Sequence, residues 1–213
     1  MAYSRTKLHS NIKNLRNLSG LKDFRNADLQ GQDLSNLNLR SADFSGANMK
    51  GTKLDGANIS SAVFDSVDLT NASFTGCFGE GPRFLEATLK YVNFARASFL
   101  YGVFENVDMS QTTLGFVYSE EYSDLCRFDS CRFTCVSLRD QNLKNFTFRD
   151  CAFFQVDMSY CDLIDATFPG SNMIDVEMTG AKIHTTRRPI NRVFVERASP
   201  SGQIIIEGGV IDD

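Results

Sequence analysis

The sequence predicts an all-β protein wound as a four-sided solenoid of about eight coils. Three observations carry this. From Phe24 to Leu114, every fifth residue is Leu, Phe, Met or Ile at eighteen of nineteen positions, Gly79 being the exception. From Phe128 to Ile183 the same spacing is apolar at twelve of twelve positions. One position in every twenty is also always aromatic: Phe24, Phe44, Phe64, Phe84 and Phe104, then Phe128, Phe148 and Phe168. A helix face repeats about every 3.6 residues and a strand face about every 2, so neither accounts for a period of five. A chain that turns a corner every five residues and closes a coil every twenty accounts for both periods, with the phenylalanines stacked as an axial core at about 4.8 Å per coil.

Each segment has its own expectation. Residues 1–23 contain Leu8, Ile12 and Leu15 at helical spacing, which predicts a short N-terminal helix serving as a cap. Residues 24–183 form the repeat. The residue two before each central position is usually small (Ala42, Ala47, Thr52, Ala57, Ala62), as expected where backbone passes close by. Two stretches are irregular. Near 76–83, in "GCFGEGPRF", Gly79 takes a central position and Pro82 a small-residue slot. At 115–127, Phe128 follows Leu114 by fourteen positions instead of a multiple of five. This break reads as a four-residue insertion, because a one-residue deletion would move the phenylalanine column to another side. Counting sides from Phe24, both irregular stretches fall on side four, about 10 Å apart. Residues 184–213 include "RVFVERASPSGQIII", two apolar runs around a Ser-Pro-Ser-Gly turn, and so predict a β-hairpin. That hairpin either caps the tower or pairs with a second chain as a homodimer contact.

The motifs "ADLQG" at Ala27, "ADFSG" at Ala42, "ANMKG" at Ala47 and "GANIS" at Gly56 resemble the pentapeptide-repeat family. The resemblance covers residues 24–183. It implies a right-handed quadrilateral β-helix, one pentapeptide per side. It also implies a class of protein partner, since some members, including quinolone-resistance (Qnr) proteins, engage DNA gyrase or topoisomerase IV as DNA-shaped decoys.

Composition narrows the alternatives. Hydrophobic content of 42% and charge of 23% argue against global disorder. No apolar run approaches the roughly 20 residues of a membrane span. The start, MAYSRTKLHSNIK, lacks a signal-peptide core, so a cytoplasmic location is expected. Five of the six cysteines (Cys77, Cys126, Cys131, Cys151, Cys161) occupy the small inward slot, where thiols pack as small hydrophobes. The two histidines, His9 and His184, lie outside the repeat, and neither a phosphate loop nor HExxH is present. No enzyme activity, cofactor or metal is expected. Asp28, Asp33, Asp43, Asp68, Asp108, Asp157 and Asp162 precede central residues and read as turn formers, not catalytic pairs.

Residues 24–183 carry 21 acidic and 13 basic side chains, net −8. A duplex about 37 Å long carries roughly 22 phosphates, so charge likeness to DNA is incomplete. The expected function is a non-enzymatic DNA mimic that binds gyrase or topoisomerase IV and modulates or protects it, with no sequence-specific nucleic-acid binding of its own. The alternative is an interaction scaffold or secreted effector with an unrelated protein partner. Residues 1–23 are net +4, which a DNA mimic does not require. The expected partner surface is side four: Gly79, Glu80, Tyr118, Glu120, Glu121 and Tyr122.

Overall fold

The computed structural model describes residues 23–115 and 126–182, together with the backbone of strands Val195–Ala198 and Ile204–Ile206. The coil follows from a pairing rule. Parallel bridges join Asp23 to Asp43, Asp28 to Asn48, Asp33 to Lys53 and Asn38 to Asn58. Four ladders, five residues apart and each offset by twenty, define four sides. The side-one ladder runs through Asp23, Asp43, Val63, Arg83, Val103, Arg127, Thr147 and Thr167. Its offset grows to twenty-four between Val103 and Arg127, which places four added residues in the intervening coil. Phe104 then lies opposite Phe128, so the column crosses the break on the same side.

Each corner turns through a residue in the left-handed region. Asn26, Asn36 and Ser41 have φ of 55°, 59° and 57°, and Gly31 has 66°. Glycine and asparagine enter this region at little cost, which is why they recur two places after each central residue. The turn is closed within the coil by Ala27 N–H donating to Phe24 C=O at 3.0 Å. It is tied to the next coil by Asn26 N–H donating to Ser45 C=O at 2.9 Å. Asp or Asn before the central residue secures the face. Asp33 Oδ1 accepts Ser35 N–H at 3.0 Å, Asp43 accepts Ser45 N–H at 2.9 Å, and Asp157 accepts Ser159 N–H at 2.9 Å. These carboxylates are turn formers.

Central residues point to the axis and are buried. The phenylalanine column is a continuous stack, with centroids 4.9 Å apart for Phe24–Phe44, 4.8 Å for Phe64–Phe84, 4.6 Å for Phe104–Phe128 and 5.0 Å for Phe148–Phe168. Rings from other sides meet it edge-on, as Phe74 meets Phe64 at 5.8 Å and 72°. Slot residues add a second bond to the core. Thr52 Oγ1 donates to Leu29 C=O at 2.9 Å, Ser171 Oγ to Phe148 C=O at 2.7 Å and Cys161 Sγ to Leu138 C=O at 2.8 Å. A slot therefore takes a small side chain with or without a donor. Phe146 departs from this, filling a slot with a buried ring that packs on Phe128 and Phe148.

The helix expected at residues 6–18 lies outside the described residues. At the other end, Val195–Ala198 pairs antiparallel with Ile204–Ile206 and parallel with Asn172–Ile174, so these two strands extend the side-two sheet, while the turn expected between them lies outside the described residues.

Phe64 has a stacked ring on each side, Phe44 at 5.0 Å and Phe84 at 4.8 Å. Phe64→Ala is expected to cost about 3–5 kcal/mol, the range for truncating a buried phenylalanine. Denaturant melts of the two proteins check this, and a loss below about 1 kcal/mol would remove the column from the core.

Candidate functional site

Side four is defined by the ladder Asn38, Asn58, Phe78 and Ser98. Its strand Phe78–Glu80 lies in register with Ser98–Leu100, Gly79 opposite Phe99 and Glu80 opposite Leu100. The segment near 76–83, expected to be irregular, therefore holds the regular ladder. The reason is close approach. A Cβ on Gly79 would lie 2.8 Å from Ser60 N and 2.9 Å from Ile59 C in the coil below. Glycine is what lets this strand pack at ladder spacing, and Pro82 fits the buried slot that follows. Gly79 and Glu80 thus share one strand. Tyr118, Glu120, Glu121 and Tyr122 lie outside the described residues.

The face around this strand differs from its neighbours. Phe78 precedes Gly79 where the repeat usually has Asp or Asn, and it is 48% exposed. Tyr101, 44% exposed, stands at the next corner with φ of 54°. Tyr91 and Tyr160, with φ of 59° and 60°, are bulky residues held the same way at corners elsewhere on the rod. Leu100 lies between Phe78 and Tyr101, half-buried, in the coil above Glu80. Arg96, exposed with φ of 59°, stands at the opposite corner, between sides three and four. The sequence reading missed Phe78, Arg96 and Tyr101. The available signal was residue type at outward positions, where an aromatic replaces a small polar residue.

Sides one and two are laced by ion pairs between coils, and Lys144–Asp162 makes such a pair in the upper part of side four. Lys50 Nζ lies 3.0 Å from Asp68, Lys90 Nζ 3.2 Å from Asp108, and Arg83 pairs with Asp65. Asp68 and Asp108 are held below the usual carboxylate range. Desolvation alone would raise them, but hydrogen bonds outweigh it, from Thr70 and Lys50 in one case and from Ser110 and Lys90 in the other. Exposed pairs of this kind contribute about 0–1 kcal/mol each.

Among the described residues, no group of three or more His, Cys, Asp or Glu is placed to hold a metal. Cys77, Cys126, Cys131, Cys151 and Cys161 are buried and Cys135 is exposed, all as free thiols. Burial pushes the Cys77 thiol up to about 12 and Cys161 up to about 11. The neighbouring Cys151 thiol, with burial, pushes Cys131 well above its usual range. Among the described residues no helix is long and apolar enough to cross a membrane.

The four-sided pairing and five-residue turn coincide with the sequence model for pentapeptide repeats, which matches in eight copies over residues 23–60, 42–78 and 131–168. The chain is a pentapeptide-repeat protein. No curated protein matches it in sequence. Solved pentapeptide-repeat structures are similar at low identity. HetL, involved in heterocyst differentiation regulation in the cyanobacterium Nostoc sp. strain PCC 7120, is 15% identical, with 96% of this chain and 100% of HetL covered and a TM-score of 0.38. Full-length QnrB1, a plasmid-mediated fluoroquinolone resistance protein, is 12% identical, with 72% and 90% covered and a TM-score of 0.40. A pentapeptide-repeat protein of the Arabidopsis thaliana thylakoid lumen is 26% identical, with 55% and 72% covered and a TM-score of 0.24.

Two outcomes follow for this pentapeptide-repeat protein. Gly79→Ala is expected to destabilise it by about 1–3 kcal/mol, the cost of forcing atoms into packed structure. A thermal melt checks this, and an unchanged melting temperature would mean the strand yields without strain. In native protein at neutral pH, Cys135 is expected to react promptly with a thiol reagent and the five buried thiols slowly, because the thiolate is the reactive form. Counting labelled thiols against time, with a denatured control, distinguishes this from prompt reaction of all six.

Proposed function

We propose that this protein is a non-enzymatic interaction scaffold, a stiff rod that presents side four to a protein partner. The observation that carries the reading is the ladder from Asp23 to Thr167, which holds surface residues on different coils at set distances along one axis. In a solenoid each repeat contacts only its neighbours, so sequence can vary on one face without disturbing the rest. The proposed contact residues are Gly79 and Glu80 with Tyr118, Glu120, Glu121 and Tyr122. Exposed aromatics beside carboxylates are the residue types that anchor and orient protein interfaces.

The more specific reading is that the partner is DNA gyrase or topoisomerase IV, meeting the rod in place of duplex DNA. The net charge of −8 over residues 24–183 favours it, since a negative rod is steered toward a basic DNA-binding groove. Under this reading the protein modulates the enzyme or protects it from inhibitors. A gyrase supercoiling assay with purified protein tests it. Wild type is expected to change supercoiling or its inhibition by a quinolone. A deletion of residues 117–122 is expected to lose that effect with an unchanged thermal melt, because surface loops are thermodynamically cheap to change. No effect of wild type on either enzyme would remove the topoisomerase reading. Full effect with the deletion would move the contact off the insertion.

A further inference from the structure

We propose that the lower half of side four is a self-association face whose occupant is a second copy of this chain. The inference rests on the reading of side four as the binding face and names its occupant.

The face is depleted of charge. Its outward positions over four coils are Asn38, Arg40, Ser41, Asn58, Ser61, Phe78, Glu80, Gly81, Ser98, Leu100 and Tyr101, of which two are charged, and Ser60, which stands among them, is buried. Corresponding positions on side one hold Asp23, Arg25, Asp43, Asp65, Arg83 and Glu86. Loss of charge with gain of aromatics is the compositional mark of an interface centre. Phe78 and Leu100 lie diagonally across paired strands, and Tyr101 continues the apolar strip to the corner.

Charge identifies the occupant. Arg96 stands at one margin of the strip, and Glu80 lies on its other half. Among the described residues, neither is in an ion pair within its own chain. A two-fold axis lying in the face and passing near Phe78 exchanges these margins. Arg96 of each copy then meets Glu80 of the other, twice, while Phe78 packs on its own counterpart. This is the self-complementarity an isologous contact requires. The face is built on the parallel pair Phe78–Glu80 and Ser98–Leu100, and a second sheet can pack face to face on it at about 10 Å. A contact made by two three-residue strands and their corners falls at the small end of interface sizes, so the dimer is a weak one.

Sedimentation equilibrium of the full chain tests this over nanomolar to high micromolar concentration. Wild type is expected to show a monomer–dimer equilibrium in the micromolar range. Phe78→Ser is expected to weaken it about tenfold or more, the scale of losing an interface anchor. Serine already stands at the equivalent position one coil on, at Ser98, so folding is preserved. Glu80→Arg and Arg96→Glu are each expected to weaken the dimer, and the double reversal to restore it. Glutamate is tolerated at such a corner, as Glu86 shows with φ of 54°. A monomer at every concentration overturns the proposal, as does a dimer indifferent to all three variants or a double reversal weaker than either single change. The supercoiling assay separates the two readings: activity on gyrase by a strictly monomeric protein defeats the dimer alone. A dimer that obeys the charge reversals but leaves gyrase untouched defeats the topoisomerase reading alone.

Discussion

The hydrogen-bonded ladder at an offset of twenty residues is the constraint on which the rest of the molecule depends. It requires every coil to have the same length, and therefore every corner to be made in the same few atoms. That requirement puts the left-handed residue two places after each central one, and the Asp or Asn one place before it. It also sets the spacing of the phenylalanines. Rings repeating at the distance between coils stack with planes within 3° to 13° of parallel along side one. Aromatic stacking contributes about 0.5–1.5 kcal/mol per pair beyond burial, so the column stabilises the register that created it.

The ladder also explains what the fold tolerates. Four added residues between Leu114 and Phe128 change an offset from twenty to twenty-four and nothing else in the column. The loop-closure cost of such extra chain grows only slowly with its length. Adding one residue within a face would instead turn every later side chain out of its column. The slots show the same logic on a smaller scale. A thiol or hydroxyl there donates to a core carbonyl, which for Thr52 and Cys161 already accepts a turn bond, while Ser171 Oγ accepts the Cys151 amide and passes its own proton to Phe148 C=O, so all three fit where alanine is commonest.

The sequence made the period, the column, the slots and the phase break legible because each is a local repetition of residue type under a single packing demand. Gly79 was harder. As a break in the apolar series it reads as a loop, whereas in three dimensions it is the residue that keeps the strand close to Ile59 and Ser60. Phe146 was invisible for a related reason: its slot neighbours along the axis, Gly102 and Cys126, become neighbours only once the coil is wound. The exposed strip at Phe78, Leu100 and Tyr101 needs the same winding, since these residues belong to two coils. Outward positions carry no packing demand, so no period marks them, and the face appears only when sides are counted.

Charge alone understates how a partner would meet this rod. The net −8 is spread over a surface where cations sit one coil from the carboxylates they pair with, as in Lys50–Asp68, Lys90–Asp108 and Lys144–Asp162. Many of those carboxylates also hold a turn amide, so their charge is partly committed to the fold. Screening in physiological salt acts over about 8 Å, while coils are about 4.8 Å apart. A distant partner therefore senses the net negative sign, and a partner in contact meets alternating charges. Net charge can guide approach along the whole rod, but it does not single out one side. On the proposed reading, discrimination among the four sides falls to the charge-poor lower half of side four, where Phe78, Leu100 and Tyr101 stand in place of the ion-paired residues of sides one and two.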